Sequence, residues 1–304
     1  MSRDLSPVAQ QFDRAETYET VGPASFQHSG ALLVADAGVL PGDGVLDAAA
    51  GSGAVVVPGL DAAGRDGAEL DALTSGFDHL QPAFGPHPRT YTGPVLQALA
   101  GVPERDGPSG GRPCLVELGC GTATWLAAMA ERDTGLRCVG VEADPVLLRL
   151  AQRAAGVDVV EGDFRSAAWL RSASVRAGEV DVVLAARALH YPDPDELAGI
   201  YAYLGRWLRP GGVLVNADRF PDPAHQVPAD ESPAALGAWS QWWVDARACR
   251  GLADAFRDRD SRPPLGAGNR LTAADHGRLL QVAGFAAVEL ADLGGGDVLV
   301  VARR

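Results

Sequence analysis

Apolar and polar positions alternate in long blocks along this chain, and the blocks change period. From Cys114 onward, short apolar runs that end in an acid or a glycine take turns with stretches whose apolar residues recur at helical spacing. Cys114–Leu118, Arg137–Val141, Val157–Val160, Val180–Ala186 and Val213–Ala217 read as strands, with Val180–Ala186 nearly continuous, as a strand buried on both faces should be. Between them, Trp125–Glu131, Pro145–Ala154 and Leu197–Leu208 read as helices, and Arg209-Pro210-Gly211-Gly212 reads as a turn. Thr272 can cap a helix over Ala273–Ala283 that Gly284 ends. Phe285–Leu290 and Val298–Ala302, joined through Gly294-Gly295-Gly296-Asp297, then predict a closing hairpin. Strands alternating with helices in this way predict an α/β fold built on a mostly parallel sheet with helices on both faces.

The other segments follow different patterns. Residues 5 to 20, with Val8, Phe12, Ala15 and Tyr18, predict an amphipathic helix, and Ala31–Gly38 predicts another. Val45–Gly53 looks like a strand followed by an acid and a Gly-x-Gly turn, the pattern seen again at Glu117–Gly121. Tyr18–Phe26 also resembles Phe77–Phe84, so a partial duplication is suggested, although the first copy lacks a matching second strand with its acid. Residues 102 to 113, rich in proline and glycine, predict a linker. After Asp218 the rhythm breaks: prolines give way to a single long helix predicted over Ala234–Phe256, carrying Trp239, Trp242 and Trp243. The division expected is an N-terminal helical cap over residues 1–108, holding the degenerate glycine motif, and a domain over 109–304 with a helical insertion at about 219–270.

Composition narrows the chemistry. All 26 basic residues are arginine, so no lysine is available for a Schiff base, a pyridoxal phosphate linkage or a P-loop. A net charge of -13 opposes binding to a phosphate backbone, and nucleic acid is not the expected partner. The N-terminal residues lack an apolar signal core and no run is long enough to span a membrane, which predicts a cytoplasmic protein. Cys114, Cys120, Cys138 and Cys249 form no Cys-x-x-Cys pair and are expected to be buried thiols.

Taken in order, Glu117-Leu118-Gly119-Cys120-Gly121-Thr122, Val139–Glu142, Glu161-Gly162-Asp163-Phe164, Asp181–Tyr191, Leu208–Gly212 and Ala283-Gly284-Phe285 resemble the class I S-adenosylmethionine-dependent methyltransferases. The resemblance runs over residues 114 to 304. It implies a Rossmann-like seven-stranded sheet with one antiparallel C-terminal strand, and S-adenosylmethionine as cofactor. It also implies roles for matched positions: Glu117, Gly119, Cys120 and Gly121 at the methionine and ribose portions, Glu142 and Ala143 at the ribose, and Gly162, Asp163 and Phe164 at the adenine. Ala186 and Arg187 border the transferring methyl group, and Tyr91 stands where an aromatic covers the cofactor.

His190 and Asp218 are the two candidate general bases, His190 because an imidazole titrates near neutrality and Asp218 as the acid that follows the fifth strand. Tyr18, Tyr191, Trp239, Trp242 and Trp243 are candidates for the acceptor site. No metal is expected, because Arg219 follows Asp218 where metal-dependent relatives supply an amide. The expected reaction is methyl transfer to an oxygen of an apolar or aromatic small molecule. The alternative is a cyclase or isomerase that keeps the same cofactor without transferring its methyl. An NAD-dependent oxidoreductase is disfavoured by Thr124, which stands where the third small residue of that fingerprint belongs. For the first glycine motif, a role at a lid or a homodimer contact is expected.

Overall fold

The computed structural model describes residues 62–101, 112–133, 135–173, 175–221, 233–263 and 268–304. Tyr18, the two N-terminal helical segments and the glycine motif at 47–53 lie outside the described residues. No helix among the described residues is long and apolar enough to cross a membrane.

Seven strands form one sheet: β1 (Cys114–Leu118), β2 (Arg137–Glu142), β3 (Val157–Glu161), β4 (Val180–Ala186), β5 (Leu208–Arg219), β6 (Ala287–Gly294) and β7 (Asp297–Arg303). Their order is β3-β2-β1-β4-β5-β7-β6. β1 to β5 are mutually parallel, and β7 runs antiparallel to both β5 and β6. The strand order reverses at β1, which pairs with β2 on one side and β4 on the other, so a crevice opens beyond the carboxyl ends of β1 and β4. Strand periodicity divides the core between two faces: Val116 and Val183 point into one apolar layer, Leu115 and Val182 into the other. Both layers are buried, as the nearly continuous apolar runs of β1 and β4 require.

Helices α1 (Ala62–Leu80), α2 (Pro88–Ala100), α3 (Thr124–Arg132), α4 (Pro145–Ala151), α5 (Trp169–Ser172), α6 (Pro194–Trp207), α7 (Pro233–Ala248), α8 (Ala253–Ser261) and α9 (Ala273–Val282) fill the connections. Local chemistry starts several of them. Asp144 caps α4 ahead of Pro145, and Asp193 with Glu196 forms a capping box at α6. Thr272 with Asp275 forms another at α9. Tyr91, Val95, Leu126 and Met129 cover one face of the sheet, while Leu197, Ile200, Tyr201, Leu204 and Leu280 cover the other.

Two elements differ from the sequence reading. Arg209–Gly212 is not a turn leading into a strand but part of β5, which begins at Leu208. Gly211 takes φ +79, and the ladder shifts register between Val180 and Val182. The chain terminus captures the segment, since Gly211 N donates to Arg304 O (3.1 Å) and Arg304 N to Gly212 O (2.9 Å). The predicted helix over 234–256 is also interrupted. Cys249 is extended, a 3-10 turn spans Arg250–Leu252, and α8 begins at Ala253. The break is made at Cys249, whose extended backbone (φ -69, ψ 118) ends α7.

The described residues form two compact units, one holding residues 62–80 and 233–254, the other 81–221 and 255–304. In the smaller unit α1 packs on α7: Trp242 Nε1 donates to Leu73 O at 2.9 Å, and the Phe77 ring lies 5.1 Å from Trp242 and 5.5 Å from Trp239. The sheet belongs to the larger unit.

Candidate functional site

The crevice begins with the glycine turn after β1. Gly119 (φ +67) and Gly121 (φ +57) occupy left-handed backbone that glycine adopts without strain. A Cβ on Gly119 would lie 2.9 Å from the Ala188 Cβ and 3.6 Å from Phe164 Cε1, so the three residues meet over one space. Gly119 N and Cys120 N both donate to Val141 O, which holds the turn against the end of β2. The Cys120 side chain turns inward instead, and Gly140 makes room for it, since a Cβ there would sit 2.7 Å from Cys120 Sγ. Burial, reinforced by Glu142 and Glu117, pushes the Cys120 thiol well above its usual range. All four cysteines are buried thiols outside any disulfide.

Glu117, on β1, is 4% exposed. Glu142 closes β2 with its carboxylate buried under three backbone amides: Gly121 N donates to Oε2 and Ala143 N and Asp144 N to Oε1, each at 2.8 Å. Burial nevertheless dominates and raises its pKa to about 7, and the nearby Asp144 adds to the rise, while the amides oppose it. The next acid is arranged differently. Asp163 is gripped by Arg165, whose Nε lies 2.9 Å from Oδ2 and whose terminal nitrogen lies 2.7 Å from the same oxygen. Burial pushes the Asp163 carboxyl up, but the Arg165 fork outweighs it and the net shift is downward. Gly162 gives close packing, because a Cβ there would meet Trp169 Cβ at 2.4 Å. Tyr203 fixes Phe164 from behind by donating to its carbonyl at 2.5 Å.

Across the crevice, β4 ends at Ala186 and Arg187 follows with φ +57, its N–H donating to Ala217 O at 2.8 Å. The Arg187 guanidinium donates to Gln81 O (3.1 Å) and to Gln81 Oε1, and its carbon lies 5.6 Å from the centre of the Phe84 ring. The side chain is therefore bound to the segment that precedes α2. Beyond it, His190 Nδ1 lies 2.9 Å from Asp218 Oδ2 and 3.2 Å from Oδ1. Asp218 is 3% exposed and also accepts Arg219 N at 2.9 Å. The Tyr191 ring stands 4.2 Å from the His190 ring. Tyr91 is buried on α2, 5.5 Å from the ring of Trp125, in the same apolar layer as Cys120 and Ala123.

The structure thus brings the residues at 91, 117–121, 142–143, 162–164, 186–191 and 218 into one unit, most of them at the carboxyl ends of β1 to β5. Trp239, Trp242 and Trp243 belong to the other unit. Asp181, within the matched stretch, sits at the opposite end of the sheet, accepting Cys114 N at 2.6 Å and pairing with Arg209 at 2.9 Å.

Three features escaped the sequence reading. Asn269 laces the His190 loop together, donating from Nδ2 to Leu189 O and Pro192 O (2.9 Å each) and from its backbone to His190 O (2.8 Å). A Gly-Asn pair after a proline-glycine stretch was a turn signal, but nothing local linked it to position 190. Behind β5, the buried His276 Nδ1 lies 2.7 Å from Tyr201 Oη and 3.4 Å from Asn216 Nδ2. Finally, Arg259 and Arg262 reach the β2 and β3 ends.

The donor set fits a nucleoside carrying an amino-acid tail. The Gly119 cradle would be closed by a Cβ, leaving room only for backbone beside a ligand, and Glu142 stands at the end of β2 where an acid meets ribose hydroxyls. A doubly wound sheet with this cradle at its switch point defines the class, and residues 115–212 match the methyltransferase domain family. This domain is of the class I type, whose cofactor is S-adenosylmethionine.

Among curated proteins, the chain is similar to trans-aconitate 2-methyltransferase of Azoarcus sp. (strain BH72), with 34% identity over 144 residues, 46% of this chain and 52% of the relative. The chain spans about half the length of that relative. Among solved structures, it is similar to the S-adenosylmethionine-dependent methyltransferase SibL in its apo form (TM-score 0.45, 18% identity, 71% of this chain and 55% of that one). It is likewise similar to human N-acetylserotonin methyltransferase in complex with S-adenosylmethionine (TM-score 0.45, 16% identity, 82% and 60%).

Proposed function

We propose that the protein transfers the methyl group of S-adenosylmethionine to an oxygen of an apolar or aromatic small molecule, with His190 as general base and Asp218 as its orienting partner. The hydrogen bond between His190 Nδ1 and the Asp218 carboxylate carries this reading. When bound, the cofactor supplies a methyl group already activated by its sulfonium. The chain's residues do the rest by placing and deprotonating the acceptor.

A buried carboxylate on Nδ1 selects the tautomer with its proton there and leaves Nε2 as the acceptor of a proton from a substrate hydroxyl. Asp218 then steadies the imidazolium that forms. His190 is 37% exposed at its side chain, so its free edge is open to an acceptor. Asn269 fixes the loop that presents it, and Glu142 with the glycine turn would hold the ribose and the amino-acid tail in register.

This pairing also separates acceptor classes. A phenolic hydroxyl, with a pKa of about 10, needs a base, whereas a carboxylate is already ionised at neutral pH and does not. Trans-aconitate, named by one relative, therefore belongs in the acceptor panel as the counter-case. The test follows methyl transfer from labelled cofactor to phenols, alcohols and carboxylates, with the parent and His190→Ala. Hydroxyl acceptors methylated by the parent and lost in the variant are expected. Methylation of carboxylates alone, indifferent to His190, would remove the proposal. We also propose that residues 109–304 form the transferase domain and that residues 1–108 serve as its cap.

A further inference from the structure

The end of α8 lies on the two turns that carry Glu142 and Asp163, and its contacts there are polar. Arg259 Nε donates to Asp144 Oδ2 at 2.7 Å. Arg262 donates to Ala143 O at 2.9 Å and to Glu161 Oε1 at 2.5 Å, and it is steadied by Asp258 at 2.5 Å. The same Ala143-Asp144 peptide is held from its other side, because both its N–H groups donate to Glu142 Oε1. Asp144 Oδ1 is occupied as well, capping α4 through Val146 N and Leu147 N. A short run of chain is thus fixed by the Glu142 carboxylate on one side and, on the other, by Arg262 at the Ala143 carbonyl and Arg259 at the Asp144 carboxylate. Arg262 continues the bridge to Glu161, immediately before Gly162 and Asp163.

Charge supplies the reason for arginine. Glu142, Asp144, Glu161 and Asp163 crowd the carboxyl ends of β2 and β3 in a chain of net charge -13, and Arg259 and Arg262 bring cations to two of these acids. Arg259 and Arg262 donate from planar forks that can satisfy several acceptors at once. Apolar packing of α8 alone would not set the Ala143 carbonyl.

We infer that Arg259 and Arg262 form a clasp that positions the Glu142 and Asp163 turns for the adenosine half of the cofactor, so that α8 sets cofactor affinity without touching the reacting atoms. The inference rests on the assignment of S-adenosylmethionine to this crevice. Both arginines are positioning residues.

The test is calorimetric titration of S-adenosylhomocysteine into the full-length parent, Arg259→Gln, Arg262→Gln and the double variant, with melting temperature and amide exchange followed in parallel. Each single variant should bind roughly two- to fivefold more weakly and the double variant about tenfold, the scale set by partly exposed ion pairs. Exchange at the Ala143 and Asp144 amides should rise while β4 and β5 stay protected. Molar salt should weaken binding by the parent and leave the folded double variant unchanged, because S-adenosylhomocysteine is a zwitterion without net charge of its own.

A folded double variant that binds as tightly as the parent overturns the clasp. If the double variant fails to fold, the parent's salt titration decides alone, and affinity that is flat with salt overturns it. A parent that does not bind S-adenosylhomocysteine refutes the cofactor assignment and the clasp together. Parent binding with unaltered variants refutes only the clasp.

Discussion

His190 and Asp218 stand twenty-eight positions apart in the chain and share a hydrogen bond of 2.9 Å between Nδ1 and Oδ2. The contact exists because β4 and β5 are parallel neighbours, with Ala186 paired to Ala217, so the residues leaving both strands emerge at the same edge. A general base of this kind contributes on the order of 10²- to 10⁴-fold. His190→Ala should lower kcat by about that factor with a hydroxyl acceptor and leave S-adenosylhomocysteine affinity unchanged. Asp218→Asn should lower kcat by a smaller factor, since it keeps the shape but not the charge. Steady-state rates beside calorimetric affinities decide, and equal losses in rate and binding would point to collapse of the site.

Glu142 makes cofactor binding sensitive to pH. Its carboxyl, raised to about 7 mainly by burial, is partly protonated at neutral pH, and a carboxylate accepts hydroxyl hydrogen bonds more strongly than a neutral acid. S-adenosylhomocysteine should therefore bind more tightly as pH rises through about 7, and Glu142→Gln should bind weakly at every pH. For the unliganded protein the sign is opposite. The unfolded chain ionises Glu142 near 4.5 and the native state near 7, so this group's share of stability falls as pH rises across that window. Titrations and melts over the same pH series test both slopes.

Gly119→Ala should damage both fold and binding. An L-residue at φ +67 costs about 1–2 kcal/mol, and the added Cβ would approach Ala188 Cβ to 2.9 Å. A loss of about 2–3 kcal/mol in denaturant unfolding is expected, with loss of S-adenosylhomocysteine binding. Gly199→Ala, within α6 where a new Cβ meets nothing, should instead gain about 0.5–1 kcal/mol. Equal effects at the two sites would refute the cradle.

His276 should govern stability in mild acid. Burial pulls its imidazole down to about 4, and the Asn216 amide nitrogen facing Nδ1 favours the neutral tautomer in which Nδ1 accepts from Tyr201 Oη. Between about 6.5 and about 4 the unfolded chain takes up a proton that the native state refuses. The stabilisation is therefore full above the unfolded value and is lost as pH falls through this window, on the order of 3 kcal/mol at its limit. This slope opposes that of Glu142, so the comparison is between variants. His276→Gln, which still accepts from Tyr201 but does not titrate, should lose less stability than the parent between pH values of about 7 and about 4. Identical pH profiles in chemical denaturation would count against it.

Much of this architecture was legible from residue order. The helix after Thr272 was announced by its cap, those read over Pro145–Ala154 and Leu197–Leu208 by their apolar spacing, and β1 and β4 by short runs that are apolar but for one acid each. The glycine cradle and the acid at 142 were readable for the same reason, since a left-handed turn and a strand end are properties of adjacent residues. Local reading failed where a distant partner changed the outcome. Arg209–Gly212 has turn residues, yet pairing with Arg304 keeps it in β5, and the helix predicted over 234–256 breaks at the extended Cys249, which no local residue signals.

By itself, then, the sequence determined the alternation of elements, the glycine turn and the acids that close the strands, because each follows from backbone preference and periodicity over a few residues. The tertiary structure alone decided that His190 meets Asp218, that Asn269 laces the loop carrying His190 and that Arg262 spans from Ala143 to Glu161. Those contacts depend on which strands become neighbours, and that is settled by burial of both faces of the whole sheet.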